Sequence, residues 1–447
     1  MVHRIEEVVA RGMCVGCGGC GAATGGAIPV TIGKHGVYQA SLEGVGEADR
    51  RVGSKVCPFS DEALNEDTLG APRPDSSMRT DSRVGAYSNI LAGRRTDDEA
   101  LPKSSSGGLT SWTLQRLIET GKVDGVIHVG GTDGAGELFE YVVSESVDEV
   151  ESRRKSQYYS TSMHKALLSV RGNGRRYAIV GVPCFISAAR RVAVEDEVLR
   201  QQLAYFVGIV CGHLKSQFFP EAAAWQLGVT PGGIATVDFR GKHPDRPAWD
   251  YDFRVITSSG DEKRGRNLDL LGSNWGHGAL QPEACNFCDD IFAETADVVF
   301  GDAWIDRYQA DWRGTNVVVS RNVEIDDLLA QGARDGVVEL DEISVDDAAA
   351  SQAGNFRHRR DGLAVRLADD IAKGLSVPAK RVDPDRSVVP LHRRLLVRQR
   401  RRMSRRSLET FRAARNSVDL DKYLRPMSRE IFRYKLIDKL GKRLSRR

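Results

Sequence analysis

Three features of the sequence predict a layered α/β protein, with a cysteine-rich module in front and a helical basic tail behind. Through the middle of the chain, short apolar runs of strand character alternate with amphipathic helical stretches, the pattern that lays helices on a sheet. Three cysteines at intervals of three, interleaved with glycine, open the chain. Residues 386–447 carry 21 Lys or Arg against 5 Asp or Glu, so a net charge of +3 hides a tail of +16 on a body of −13. With 447 residues there is enough chain for two or three domains. The boundaries read as a module over 1–69, a linker over 70–86, an α/β domain over 87–345, a linker or helical segment over 346–385, and the tail over 386–447.

The eight cysteines divide into two sets of four. Cys14, Cys17 and Cys20 stand in the run Met-Cys-Val-Gly-Cys-Gly-Gly-Cys-Gly, and Cys57 follows directly before Pro58. Thiols at that spacing need a backbone that wraps around one centre, which the glycines allow; they also argue against a helix there. In two-cluster bacterial ferredoxins a Cys-Pro follows the triplet closely and serves the other cluster. Here it is distant, so Cys14, Cys17, Cys20 and Cys57 read as one closed 4Fe-4S site in a ferredoxin-like module. A structural zinc site and unliganded buried thiols are the alternatives.

The linker follows from the Pro-, Ser- and Asp-rich stretch that begins at Gly70. Beyond it, residues 89–93 predict a strand, and Ser105, Ser106, Gly107, Gly108 and Thr110 lead into a helix over 112–120 with Leu114, Leu117 and Ile118 on one face. Gly121 ends that helix and a strand over 123–130 follows. A Ser/Gly loop feeding a helix N-terminus suits a phosphate or pyrophosphate, although plain capping uses the same residues.

Residues 177–180 and 204–210 predict two buried strands that end near Cys184 and Cys211. The carboxyl ends of strands are where open α/β sheets bind cofactors. Cys184 and Cys211, with the Cys285-Asn286-Phe287-Cys288 pair, therefore form the second candidate cluster site. Taken singly, Cys184 or Cys211 reads as a small core hydrophobe.

No run approaches the ~18 apolar residues of a membrane span, and the acidic start Ile5-Glu6-Glu7 is unlike a signal peptide. A reducing, cytoplasmic compartment is expected for clusters and free thiols. In the tail, the segments around 391–403 and 431–440 have helical apolar spacing among basic residues. They suit an acidic protein partner, an anionic membrane surface with peripheral attachment, or the acidic body of the chain itself. Nucleic acid is not expected, since stacking aromatics are sparse.

Seven motifs in order now carry a resemblance: Ser105-Ser106-Gly107-Gly108-Leu109-Thr110, Val123 to Ile127, Arg154-Lys155-Ser156-Gln157-Tyr158, Gly181-Val182-Pro183-Cys184, Val210-Cys211-Gly212-His213, Phe239-Arg240-Gly241-Lys242, and Cys285-x-x-Cys288 with Ala296 to Trp304. Over residues 10–310 the chain resembles the coenzyme F420 hydrogenase/dehydrogenase beta-subunit family. The resemblance implies a flavin-dependent iron–sulfur oxidoreductase holding FAD beside two 4Fe-4S clusters. Electrons would pass between a ferredoxin or reduced deazaflavin donor and a small organic substrate. The resemblance also admits a non-catalytic relay or polysaccharide-biosynthesis-associated adapter docked by its tail. By the same resemblance Ser105, Ser106, Gly107, Gly108, Thr110, Lys155, Ser156, Gln157 and Tyr158 help hold FAD, and Gly181, Pro183 and Asp302 are further cofactor-binding candidates; Arg240 and Lys242 suit a pyrophosphate through charge-assisted bonds, or read equally as an exposed loop pair of cations. Many relatives have Gly-Ser-Lys-Tyr where this chain has Lys155-Ser156-Gln157-Tyr158, and often an Asp at the place of Gly241. No catalytic acid or base is assigned: Asp302 reads equally as a turn aspartate, and His213, beside Cys211, reads first as a structural group, with a donor to cluster sulfur or an acid near the flavin as the alternative.

Overall fold

The computed structural model describes residues 2–71, 77–132 and 136–444. Part of the linker, 72–76, and the last residues of the tail, 445–447, lie outside the described residues. The centre is an eight-stranded mixed sheet. Its strands, numbered with a separate three-stranded sheet in chain order, are β1 Asn89–Arg95, β2 Gly125–Gly131, β3 Phe139–Ser144, β4 Tyr177–Gly181, β5 Leu203–Ile209, β6 Ile234–Gly241, β7 Asp252–Thr257, β8 Glu262–Arg266, β9 Val298–Asp302, β10 Asn316–Ser320 and β11 Val338–Glu342. The large sheet runs β11-β1-β10-β9-β5-β4-β2-β3, and β6-β7-β8 form the smaller one. Strands β9, β5, β4 and β2 are parallel; β3 on one side and β10, β1 and β11 on the other are added antiparallel.

These strands form because successive side chains point to opposite faces and both faces are covered. Val207, Phe300 and Val318 enter one core with Leu109, Leu114 and Leu117 of the helix α1 (Leu109–Glu119), whereas Phe206, Val299 and Val317 enter the other. That second core also holds Ile5, Val8 and Ile28 from the front of the chain and Phe185, Ile186 and Val192 from α2 (Pro183–Glu195). The cysteine module and the sheet are thus packed around common apolar residues. Arg79–Asp81 pairs with Gly85–Tyr87 as a short hairpin at the end of the stretch expected to be a linker.

The sequence argued against a helix at the cysteine triplet, and the structure corrects this: Cys20 lies in the short helix Gly19–Ala23. Small residues are the reason. A Cβ on Gly19 would stand 3.2 Å from the Cβ of Ala188, so the turn packs directly on α2. Gly18 starts it in the left-handed region, φ +85°, where an added Cβ would meet Ser162 Oγ.

The tail is an antiparallel helical hairpin, α3 (Leu391–Ser417) and α4 (Asp421–Leu444). Buried Met403, Leu408, Phe411, Ala414, Tyr423 and Met427 join the core beneath the small sheet. Charge seats α3 on the acidic body. Arg398 reaches Asp369, Arg405 reaches Glu283, and Arg401 reaches both Glu283 (2.6 Å) and Asp370 (2.7 Å). Asp370 also receives Arg11, tying the tail to the front of the chain. Breaking a buried pair strands the remaining charges. Asp370→Ala is therefore expected to cost about 3 kcal/mol, read as a lowered urea midpoint with the slope unchanged.

Candidate functional site

Parallel strands bring their carboxyl ends to one edge of the sheet, and the motifs singled out above collect there. Strand β4 ends at Gly181, which is followed by Val182 and by Pro183 and Cys184 in the first turn of α2. Strand β5 ends two residues before Cys211, and β9 ends on Asp302. Because β10 and β1 are antiparallel additions, the pairings Asp302 with Asn316 and Asn316 with Gly93 place the start of β10 and the end of β1 at the same edge.

The Ser105–Thr110 loop is fixed at this edge. Ser106 Oγ donates to the Thr315 carbonyl (3.0 Å), and Leu109 N, opening α1, donates to Asn316 Oδ1 (3.1 Å). Gly107 is required by crowding, since a Cβ there would sit 2.6 Å from the Gly93 carbonyl oxygen. Ser105 Oγ accepts from Ser156 N (2.8 Å), joining two motifs separated by about fifty residues in sequence. Thr110 is half-buried in the first turn of α1, and Gln157 half-buried in the second loop.

Arg240 and Lys242 are not exposed loop cations: both are engaged by the protein's own groups. Arg240 is buried and forms a two-pronged pair with Asp302 at 2.9 and 3.0 Å, its guanidinium near the rings of Tyr251 and Trp304. Lys242 Nζ donates to the carbonyls of Leu101, Ser106 and Arg313, pinning the serine loop from below. Lys155, at φ 89°, pairs with Asp238 at 2.5 Å. Next to it lies a cleft of about 430 Å3 lined by Lys103, Asp148, Glu151, Ser152, Arg154 and Lys155. Tyr158 sits edge-on to Trp275 (4.9 Å) and Phe239 (5.4 Å), and Phe219 stacks on Phe239. This apolar box is closed by Lys215, whose Nζ lies 4.6 Å from the Phe219 ring and donates to the carbonyls of Gly272 and Ala279.

Both quartets of thiols are drawn together. Burial, and then the charge of Cys14, Cys17 and Cys57, lifts the Cys20 thiol well above its ordinary value. Burial pushes Cys17 and Cys57 up to about 12. Cys184 responds in the same way to burial and then to Cys288, Cys211 and Cys285. Cys17 of the first quartet adds to that rise as well. Tyr141, on β3, feels both Cys184 and Cys17. Among the described residues no three His, Cys, Asp or Glu side chains close on one point as ligands of a single metal ion would. Backbone amides face the sulfurs: Ala40 N reaches Cys14 Sγ, and Leu214 N reaches Cys285 Sγ, both at 3.3 Å.

Sequence reasoning missed Arg359. It lies in a π-helical turn, Arg357–Asp361, and is fully buried. Its Nη1 reaches Cys288 Sγ at 2.6 Å and the Asp290 carbonyl, and its Nε the Gly212 carbonyl. Burial opposes its charge, and Cys288, Cys211, Cys285 and Cys184 more than compensate, keeping it cationic. Within the run Arg357-His358-Arg359-Arg360 nothing local distinguishes it from a solvated helix face.

The family models match at this point of the chain's anatomy. The model for the coenzyme F420 hydrogenase/dehydrogenase beta subunit N-term covers residues 90–168, and that for its C terminus residues 174–346. The chain belongs to this family. Among curated proteins it is 28% identical over 224 residues to a subunit of the F(420)H(2) dehydrogenase of Methanosarcina mazei, a match covering 47% of this chain and 56% of that protein. It is 24% identical over 270 residues to the coenzyme F420 hydrogenase subunit beta of Methanothermobacter thermautotrophicus, covering 57% of this chain and 85% of that one. Its fold resembles a chain of the F420-reducing NiFe hydrogenase complex from Methanosarcina barkeri, with a TM-score of 0.50 and 20% identity over 67% of this chain and 99% of that chain. Both family models include parts of the shared sheet edge, and neither reaches the cysteine triplet or the tail.

The Arg240–Asp302 pair ties the small sheet to the large one, so its removal tests the corner directly. Asp302→Ala leaves the guanidinium of Arg240 buried without its carboxylate and is expected to destabilise the protein by about 3 kcal/mol. Asp302→Asn, which keeps an acceptor in place, should lose less, as read by denaturant titration.

Proposed function

We propose that this chain is an iron–sulfur flavoprotein oxidoreductase of the cytoplasm. In this reading it holds two 4Fe-4S clusters and FAD, and passes electrons between a reduced deazaflavin coenzyme or a ferredoxin and a small organic substrate. The observation that carries the reading is the order of three sites along one sheet edge. The serine loop and its partners lie at β1, β10 and β9; the second quartet follows at β5 and β4; the first quartet adjoins the second through Cys184 and Cys17.

Cys14, Cys17, Cys20 and Cys57 would hold one cluster and Cys184, Cys211, Cys285 and Cys288 the other. A glycine-rich cysteine triplet suits a polynuclear centre better than a zinc ion, whose sites are built from paired Cys-x-x-Cys. When bound, clusters carry electrons singly and a flavin gathers two for hydride-type chemistry. The chain's own groups prepare the places. The amides and positive end of α1 orient an anionic group, and Lys103 in the adjoining cleft supplies positive charge for a pyrophosphate, Arg154 and Lys155 there being paired with Glu151 and Asp238. Tyr158, Phe239 and Trp275 form an aromatic box two residues beyond Ser156, which binds the serine loop. Arg359 donates to the Cys288 sulfur, and such a charge-assisted bond favours the more negative, reduced form of whatever the thiolates hold.

Protein purified without oxygen should contain about eight iron per chain with matching sulfide, and release FAD on denaturation. Cys20→Ser and Cys184→Ser are each expected to lose about half of that iron. Colourless protein carrying zinc instead would contradict the reading. Arg359→Gln should keep its iron and lower one cluster midpoint by on the order of 100 mV, the value of one charge-assisted hydrogen bond. Reduced deazaflavin or ferredoxin should bleach the flavin absorbance in anaerobic stopped-flow. Failure with both donors would favour the non-catalytic relay or adapter.

A further inference from the structure

The hairpin divides the charge of the tail between its two helices. On α3, Arg398, Arg401 and Arg405 meet carboxylates of the body. On α4, Arg429, Lys435, Lys439 and Arg443 are exposed and have no ion-pair partner among the described residues. Asp438, on the same helix, is bonded to Lys442.

The same outward face of α4 carries a row of large apolar side chains. Phe432 is 68% exposed, Leu436 45% and Leu440 49%. Spaced by four residues, they form a ridge about 12 Å long. Arg429, Lys439 and Arg443 fall within this face by helical periodicity, and Arg433 and Lys435 flank it. The inner face is already committed, with Tyr423, Met427 and the Glu430 carboxylate buried against α3 and the core. Leu391 and Leu395, exposed near the start of α3, stand at the same end of the hairpin as Leu440, because Gly441 packs against His392.

We propose that this face of α4 is a docking surface for an anionic lipid bilayer, with Phe432, Leu436 and Leu440 entering the headgroup boundary and the surrounding Lys and Arg meeting lipid phosphates. A convex ridge without a groove is the shape a deformable lipid surface accepts, and long cationic side chains can reach up to phosphates while their stems lie against acyl chains. A second copy of the chain fits poorly, because a symmetric contact would set these cations against themselves. No helix of the described residues is long and apolar enough to cross a membrane, and lying on the surface requires none.

The test is sedimentation of the full, iron-loaded chain with vesicles of phosphatidylcholine alone or of phosphatidylcholine and phosphatidylglycerol in equal parts. The expected result is binding to the mixed vesicles only, weakening as salt rises. The double variant Phe432→Glu, Leu436→Glu should lose binding by about tenfold or more, with helical circular dichroism and iron content unchanged. A second variant, Arg429→Gln with Lys439→Gln, keeps the apolar ridge and should bind more weakly with a flatter salt dependence. Absence of binding to mixed vesicles, equal binding to neutral ones, or undiminished binding by the glutamate variant overturns the proposal. So does a dimer that the glutamate variant abolishes in the absence of lipid.

Discussion

Eight thiols withdrawn from water set the terms for everything around them. A buried thiol resists ionisation, and this chain surrounds its two quartets with cations that are themselves buried. Arg359 lies against Cys288, and Arg191 and Lys380 act on Cys57. Such cations are costly unless negative charge stands beside them. Arg191 and Lys380 find it in Glu66 and Asp289, while Arg359 stands against the Cys288 sulfur and the Asp290 and Gly212 carbonyls. The π-helical turn presents Arg359 to the second quartet while its neighbours continue into Gly362–Ile371.

The same economy explains how the parts of the chain are held in one arrangement. The loop between Ser152 and His164 runs from the serine loop to the first quartet. Ser156 N binds the serine loop, Tyr158 enters the aromatic box, Ser160 Oγ accepts from Tyr38 N, and Met163 N donates to the Cys17 carbonyl. The hairpin closes the other side, where Arg400 of α3 reaches His213 Nδ1, two residues beyond Cys211. His213 is buried, its Nε2 is without a partner, and burial holds it well below its ordinary value, so it stays neutral beside the quartet.

Much of this was legible in the sequence, for physical reasons that differ by element. Strands β4 and β5 were readable because a strand buried on both faces must be apolar throughout, and their ends at Cys184 and Cys211 followed. The helix of Leu109–Glu119 was readable from one apolar face and a stop at Gly121. The turn at Cys20 was not, because glycine marks flexibility locally and here serves close packing on Ala188, which only the tertiary fold reveals. Arg240 looked like a free cation because its partner, Asp302, lies on another strand. Strand β8, Glu-Lys-Arg-Gly-Arg, is an exposed polar edge with no apolar alternation to betray it. In the tail, amphipathic helices were visible, but which arginines the body claims depended on carboxylates far along the chain.

In the proposed function the two quartets hold iron–sulfur centres close enough to couple, as the influence of Cys17 on Cys184 indicates. The most direct measurement is electron paramagnetic resonance of the anaerobic protein after full reduction, compared with Cys20→Ser and Cys184→Ser variants. Two adjacent paramagnetic clusters should broaden and split one another's spectrum, and each variant should collapse the signal to that of one isolated cluster. Two independent, unsplit signals, or no iron signal in fully reduced protein, would contradict the account.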